Sequence, residues 1–218
     1  MEENVQEIGF LFDLDGVIID SESEYSRIWR QINKEYPTGK ENLEYVIKGC
    51  TLSKILQENF PTDEIRNNVS ERLHELENQM HYEYLPHARD FLIDLNKRKY
   101  PCALVTSSDN QKMTHLHDEI KELFDFFDFI VTGDLVKTSK PSPEGYLLAA
   151  SKLNIDPKKC IVFEDSLQGV MAGQNAGAYV VGIAGTLPSE KIEPYSDIVI
   201  NNFKELQLEN LIHEIRNR

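Results

Sequence analysis

One segment constrains this chain more than any other: Ile8-Gly9-Phe10-Leu11-Phe12-Asp13-Leu14-Asp15-Gly16-Val17, near the start of the sequence. An apolar run of strand character stops at two carboxylates two positions apart, and the glycine after them frees the chain to turn sharply. An unpartnered carboxylate at the end of a buried strand is costly, so Asp13 and Asp15 imply a cation or a reaction that uses them. A strand ending at Asp13 brings its carboxylate and the following turn around one small volume, the candidate active site. Two plainer readings compete. A D-x-D segment can open an EF-hand calcium loop, and Glu24 falls at the twelfth position from Asp13. Val17, however, stands where a ligand is needed and Ile18 where the turn needs glycine, and a strand precedes the loop. The other is a solvated turn, and the acid pair alone does not decide against it.

A length of 218 residues allows one sizeable core, or a core with a small accessory domain. A net charge of -14 argues against general affinity for nucleic acid or anionic membranes, which need a basic field. It leaves room for a small phosphorylated substrate, because one metal ion and one lysine can invert the local sign. Cys50, Cys102 and Cys160 are far apart and lack paired metal-ligand spacing, so they read as reduced small hydrophobes. The sequence carries no basic-plus-apolar leader and no long apolar span. The expectation is a cytoplasmic monomer with neither nucleic acid nor membrane as partner.

After the opening strand the pattern turns helical. Ser21 and Glu24 have capping-box spacing, and Tyr25, Ile28, Trp29, Ile32 and Tyr36 follow at helical intervals until Pro37-Thr38-Gly39. A short helix near Thr51 turns Leu52, Ile55 and Leu56 inward. A third carries the stripe Ile65, Val69, Leu73, Leu76, Met80. From Pro86 strands and helices alternate: helix 88–97, strand 102–106, helix 111–120, strand 127–131, a helix from Ser142-Pro143, strand 160–163, helix 167–175, strands 179–183 and 198–200, and helix 203–215. The expected fold is α/β: a Rossmann-like doubly wound parallel sheet (1–19 and 86–218) with a helical cap domain (20–85) inserted after the first strand.

Ligands of such sheets bind beyond the carboxyl ends of the strands, where strand order reverses. Those ends carry Asp13 and Asp15, then Thr106-Ser107-Ser108, then Lys140 in a loop, then Glu164-Asp165. Acids for a divalent cation, a hydroxyl with free amides for an anion, and a lysine together suit phosphoryl chemistry. Each has a bland alternative: Lys140 as a solvated lysine, Thr106 as a strand-end cap, Glu164-Asp165 as acids at a helix start.

Phe12-Asp13-Leu14-Asp15-Gly16-Val17, Val105-Thr106-Ser107, Lys140-Pro141-Ser142-Pro143 and Phe163-Glu164-Asp165-Ser166 resemble, in order, the four motifs of the haloacid dehalogenase superfamily. The nearest branch is the phosphatases similar to β-phosphoglucomutase, and the resemblance covers nearly the whole chain. It implies that Asp13 is a nucleophile forming an aspartyl-phosphate and that Asp15 protonates the leaving alcohol and later deprotonates water. It further implies Mg2+ on Asp13, Asp165 and the carbonyl of Asp15, with Glu164 either a direct ligand or a support for the ligands. Thr106 and the Ser107 amide would hold phosphoryl oxygens, with Lys140 balancing charge.

Ser21, Trp29, Lys48, Gly49 and Thr51 could line the substrate entrance, Trp29 being equally well cap core. The linkers 17–21 and 83–86 would be the hinges of closure. Where mutases of this branch carry a histidine this chain has Tyr25, and where they carry a cap arginine it has Leu52. Losing that cationic clamp favours hydrolysis of a small phosphorylated metabolite, a sugar or polyol phosphate, over β-phosphoglucomutase-type transfer. A non-enzymatic metal-binding switch is a further alternative. Gly169, Gly173 and Gly177 read as packing and turn glycines. His87 reads as a helix-start residue, and His115 and His117, two apart on a helix, as structural.

Overall fold

Strand β1 (Gly9–Phe12) is buried at every position, which only a central strand covered on both faces requires. The computed structural model describes residues 7–218; residues 1–6, part of the expected core, lie outside the described residues. Among the described residues the other strands are β2 (Cys102–Val105), β3 (Phe129–Val131), β4 (Cys160–Glu164), β5 (Tyr179–Ile183) and β6 (Ile198–Ile200). The sheet order is β3-β2-β1-β4-β5-β6, all parallel, as expected for a doubly wound sheet. Strand order reverses at β1 and β4, so their carboxyl ends frame the crevice.

Alternation along the strands sorts the core into two layers. Phe10, Phe12 and Phe163 face a cluster completed by Phe91 of α5 (Ala88–Lys97) and by Phe203, with the Phe12 and Phe163 rings stacked at 4.6 Å. Leu11, Ala103, Val105 and Val162 face the other way. There they meet Tyr146, Ala149 and Ala150 of α7 (Glu144–Leu153) and Ala172 of α8 (Leu167–Ala176). The remaining core helices are α6 (Asn110–Glu119), the short α9 (Ser189–Ile192) and α10 (Leu208–Arg216).

Between β1 and α5 stand only helices: α1 (Glu22–Glu35), α2 (Leu43–Val46), α3 (Leu52–Asn59) and α4 (Asp63–Glu77). They bury Ile28, Trp29, Ile32, Leu43, Ile55, Val69, Leu73 and Leu76 against one another. The two chain crossings lie side by side, with the Asp20 amide donating to Glu83 O and the Leu85 amide to Ile18 O.

Several boundaries differ from the sequence reading. The expected helix from Phe203 begins as a 3-10 turn, Phe203–Glu205, because extended backbone at Leu206 and Gln207 interrupts it before α10. Helix α7 starts at Glu144 with Pro143 at its N-cap, and Met80 is buried but lies beyond the end of α4. Phe127 ends a 3-10 segment, Lys121–Phe126, rather than opening β3. His87 is the N-cap of α5, while His115 lies against Tyr82 and His117 against Phe124. The three cysteines are free, Cys102 and Cys160 buried. Among the described residues no helix is long and apolar enough to cross a membrane.

Candidate active site

Asp13 follows β1 directly, and its amide donates to Phe163 O of the neighbouring β4. This ties the end of one strand to the end of the other. The chain then turns at Gly16, whose φ of 75° suits glycine, and a Cβ there would collide with the Asp165 carboxylate. Gly169 on α8 serves a related purpose, since a Cβ would fall inside the Glu164 carboxylate.

The strand ends bring three carboxylates and one ammonium into a buried cluster. Lys140 Nζ donates to Asp13 Oδ1 at 2.6 Å, to Glu164 Oε1 at 2.5 Å and to Val105 O at 3.1 Å. Glu164 is saturated: Tyr146 Oη donates to Oε1, while Oε2 accepts from the amides of Asp165 and Ser166 and from Ser166 Oγ. Burial, helped by the charges of Glu164 and Asp15 against that of Lys140, pushes Asp13 up to about 8. Burial and the neighbouring Glu164, Glu22 and Asp13 carboxylates hold Asp165 well above the usual range. For Lys140 burial works downward, but Asp13 and Glu164 outweigh it and raise its affinity for its proton. One lysine does not neutralise three acids.

Asp15 is held by three donors. Lys112 Nζ of α6 lies 2.5 Å from Oδ2, Ser108 Oγ donates to the same oxygen at 3.2 Å, and Ser21 Oγ donates to Oδ1. Ser21 therefore does not cap α1, and Glu24 pairs with Arg27 instead of closing a capping box. An acid in need of a donor outcompetes a helix end that water can reach.

Over this cluster lies a crevice that opens partly to solvent, lined by Asp13, Asp15, Trp29, Gly49 and Ser107 among others. A haloacid dehalogenase-like hydrolase family model matches residues 10–183, most of the chain and both walls of this crevice. The chain belongs to that family. It is 35% identical over 176 residues to a phosphorylated carbohydrates phosphatase of Thermotoga maritima, covering 77% of this chain and 80% of the relative. It is 29% identical to hexitol phosphatase A of Escherichia coli over 91% of this chain and 92% of that one. A β-phosphoglucomutase from Clostridium difficile shares the fold with a TM-score of 0.79 and 24% identity, over 97% of each chain.

In this haloacid dehalogenase-like chain the helical insertion is docked on the sheet end. Ser107 Oγ donates to Gly49 O at 2.9 Å, and the Thr51 amide donates to Ser139 Oγ at 2.9 Å. Gly49 and Trp29 line the cavity. Thr51 does not: its hydroxyl accepts from the Lys54 amide as the N-cap of α3, and it borders a smaller cavity with Thr106, Ser107 and Lys140. Thr106 Oγ1 accepts from the Ser108 amide, as a strand-end cap would, yet it remains beside Ser107 and Lys140. Lys48 pairs with Glu22 across the mouth. Sequence reasoning placed Ser108 at the strand end without its bond to Asp15, and missed Lys112 and Ser139; a lysine on a mostly polar helix carries no pattern that marks it as buried.

Phosphatases of this family generally use a divalent cation, and the acids fit one. Asp13, Glu164 and Asp165 each offer an oxygen within 4.8 Å of the others. Asp165 Oδ2 is buried without a hydrogen-bond partner. An unsatisfied carboxylate oxygen beside a surplus of acid is a donor set for a hard cation.

Proposed function

We propose that this chain is a magnesium-dependent phosphatase of small phosphorylated metabolites, sugar or polyol phosphates, working through an aspartyl-phosphate on Asp13. The observation that carries the reading is the buried Asp13-Glu164-Asp165 cluster with a single lysine and an unpartnered Asp165 oxygen, opening beside Asp15 into a solvent-connected cavity.

Asp13 attacks phosphorus, and the bond to the leaving oxygen breaks as Asp15 supplies its proton. Asp15 then takes a proton from the water that cleaves the acyl phosphate. Thr106 and the Ser107 amide hold phosphoryl oxygens, and Lys140 offsets the charge gathered around the nucleophile. Asp13, Asp165 and the Asp15 carbonyl would hold Mg2+, which, when bound, supplies charge neutralisation of the phosphoryl group. Glu164, with five hydrogen bonds already made, supports the site from behind by fixing Lys140 and the turn into α8. Helices α1 to α4 act as a cap that selects substrate and excludes water, the paired crossings near Ile18 and Glu83 serving as its hinge.

Mutase chemistry on a bisphosphate is less well supported. Of the cations lining the cavity among the described residues, Lys48 is paired with Glu22 and Lys112 with Asp15. Leu52 stands at the clamp position, and the lining also carries Glu44, Glu77 and Asp109, so among the described residues no unpaired cation faces the cavity. With both lysines engaged, a neutral polyol suits this lining better than a second phosphate. The test is phosphate release from a panel of sugar and polyol phosphates with and without Mg2+. Metal-dependent release is expected; a folded protein inert across the panel rejects the reading, and faster isomer formation than phosphate release makes it a mutase.

A further inference from the structure

Lys112 is the conspicuous residue that the four motifs leave unexplained. Its side chain is only 4% exposed, on the face of helix α6 that also buries Met113 and Leu116. A buried ammonium is costly unless something holds it, and here one carboxylate does: Nζ lies 2.5 Å from Asp15 Oδ2. The same Nζ lies over the ring of Tyr25 of α1, 4.2 Å from its centre.

The ring is fixed in turn. Tyr25 Oη donates to Glu77 Oε1 at 2.6 Å, and Glu77 Oε2 lies 2.9 Å from His74 Nδ1. His74 Nε2 reaches Asp109 Oδ2 at 3.4 Å, and Asp109 Oδ1 accepts from the amide of Lys112 itself. The loop of contacts leaves Asp15, passes through two helices of the insertion and returns to the helix that carries Lys112. Few surface ion pairs recruit such a frame, and a lysine serving a distal phosphate would not be spent on Asp15.

We propose that Lys112 is a positioning residue for Asp15, holding its carboxylate in the orientation from which it serves the leaving oxygen, and that Tyr25 and Glu77 make this hold depend on the docked insertion. The proposal rests on the phosphatase reading above. It predicts a dependence on leaving group, because an alkoxide must receive a proton as it departs whereas p-nitrophenolate need not.

The test compares a hexitol phosphate with p-nitrophenyl phosphate. Lys112→Gln is expected to lose roughly 10–100-fold in kcat on the hexitol ester, with a clearly smaller loss on the aryl ester and little change in KM, and Lys112→Arg to recover most of the loss. Tyr25→Leu, which removes the ring but keeps the lysine, should show the same selectivity more weakly, and it keeps the question answerable if Lys112→Gln fails to fold. Equal losses on both esters, or a loss confined to KM, would overturn the role of Lys112 while leaving the phosphatase intact. A wild-type chain inert on both esters rejects the phosphatase reading and the positioning role together.

Discussion

The sheet end and the helical insertion build their halves of the crevice by different means. At the sheet end, Asp13, Lys140, Glu164 and Asp165 are buried charges in which one ammonium pairs with two of three acids, and each stands at or just beyond a strand terminus or in the loop that leads to the next helix. The insertion buries its apolar residues in a cluster continuous with that of the sheet, and its polar contacts with the core include Gly49 and Thr51 on serines, His74 on Asp109 and Tyr25 on Lys112. On the proposed reading the chemistry belongs to the sheet end, and the insertion supplies the surface that selects the substrate.

Four measurements can break or sharpen this contrast. Asp13→Asn should remain folded by circular dichroism and lose turnover on the order of 10⁴-fold or more, as removal of a nucleophile does; a residual rate near wild type would end the nucleophile assignment. Lys140→Met should cost about 3–5 kcal/mol in urea unfolding, because it strands buried acids. Equal loss from a lysine substitution in the insertion, such as Lys48→Met, would erase the distinction between the two halves.

The third measurement concerns pH. Burial raises Asp13 to about 8, so the folded state binds its proton more tightly than the unfolded chain does. The metal-free protein therefore loses stability as pH rises from the ordinary carboxylate range toward about 8. A divalent cation held by Asp13, as proposed, would compete with that proton, so the gain in Tm on adding Mg2+ should grow across the same window; a gain largest at low pH would contradict the ligand set.

The smallest effect belongs to the insertion. Ser139→Ala removes the hydroxyl that accepts from the Thr51 amide, a hydrogen bond of about 1 kcal/mol, and should raise KM a few-fold while lowering Tm by only about 2–4 °C. His74 points the same way: the Glu77 hydrogen bond, opposed by burial and aided by Asp109, raises its affinity for a proton. Its contribution is complete below the ordinary histidine range and fades as pH rises through the raised value.

Much of the sheet end was legible because strand patterning and acid placement are local. The apolar run into Asp13, the turn glycine and the acids closing β4 each stand within a few residues of the pattern that explains them. The insertion was legible as helices, from the spacing of Ile28, Ile32, Val69 and Leu73, but its contacts with the core were not. Ser21 shows why: its spacing to Glu24 fits a helix cap, and only the proximity of Asp15 turns the hydroxyl elsewhere.

That local signal by itself determined the α/β class, the order of the elements and the presence of an acid-rich strand end. Strand periodicity and the cost of burying charge act over neighbouring residues, and the sequence records them directly. The tertiary structure decided which partners those acids keep. Lys112 lies 97 residues from Asp15 and Lys140 127 from Asp13, and no local pattern encodes such pairs. Lys140 could be anticipated from a motif, whereas Lys112 became visible only when α6 packed beneath the insertion and left its ammonium one carboxylate to meet.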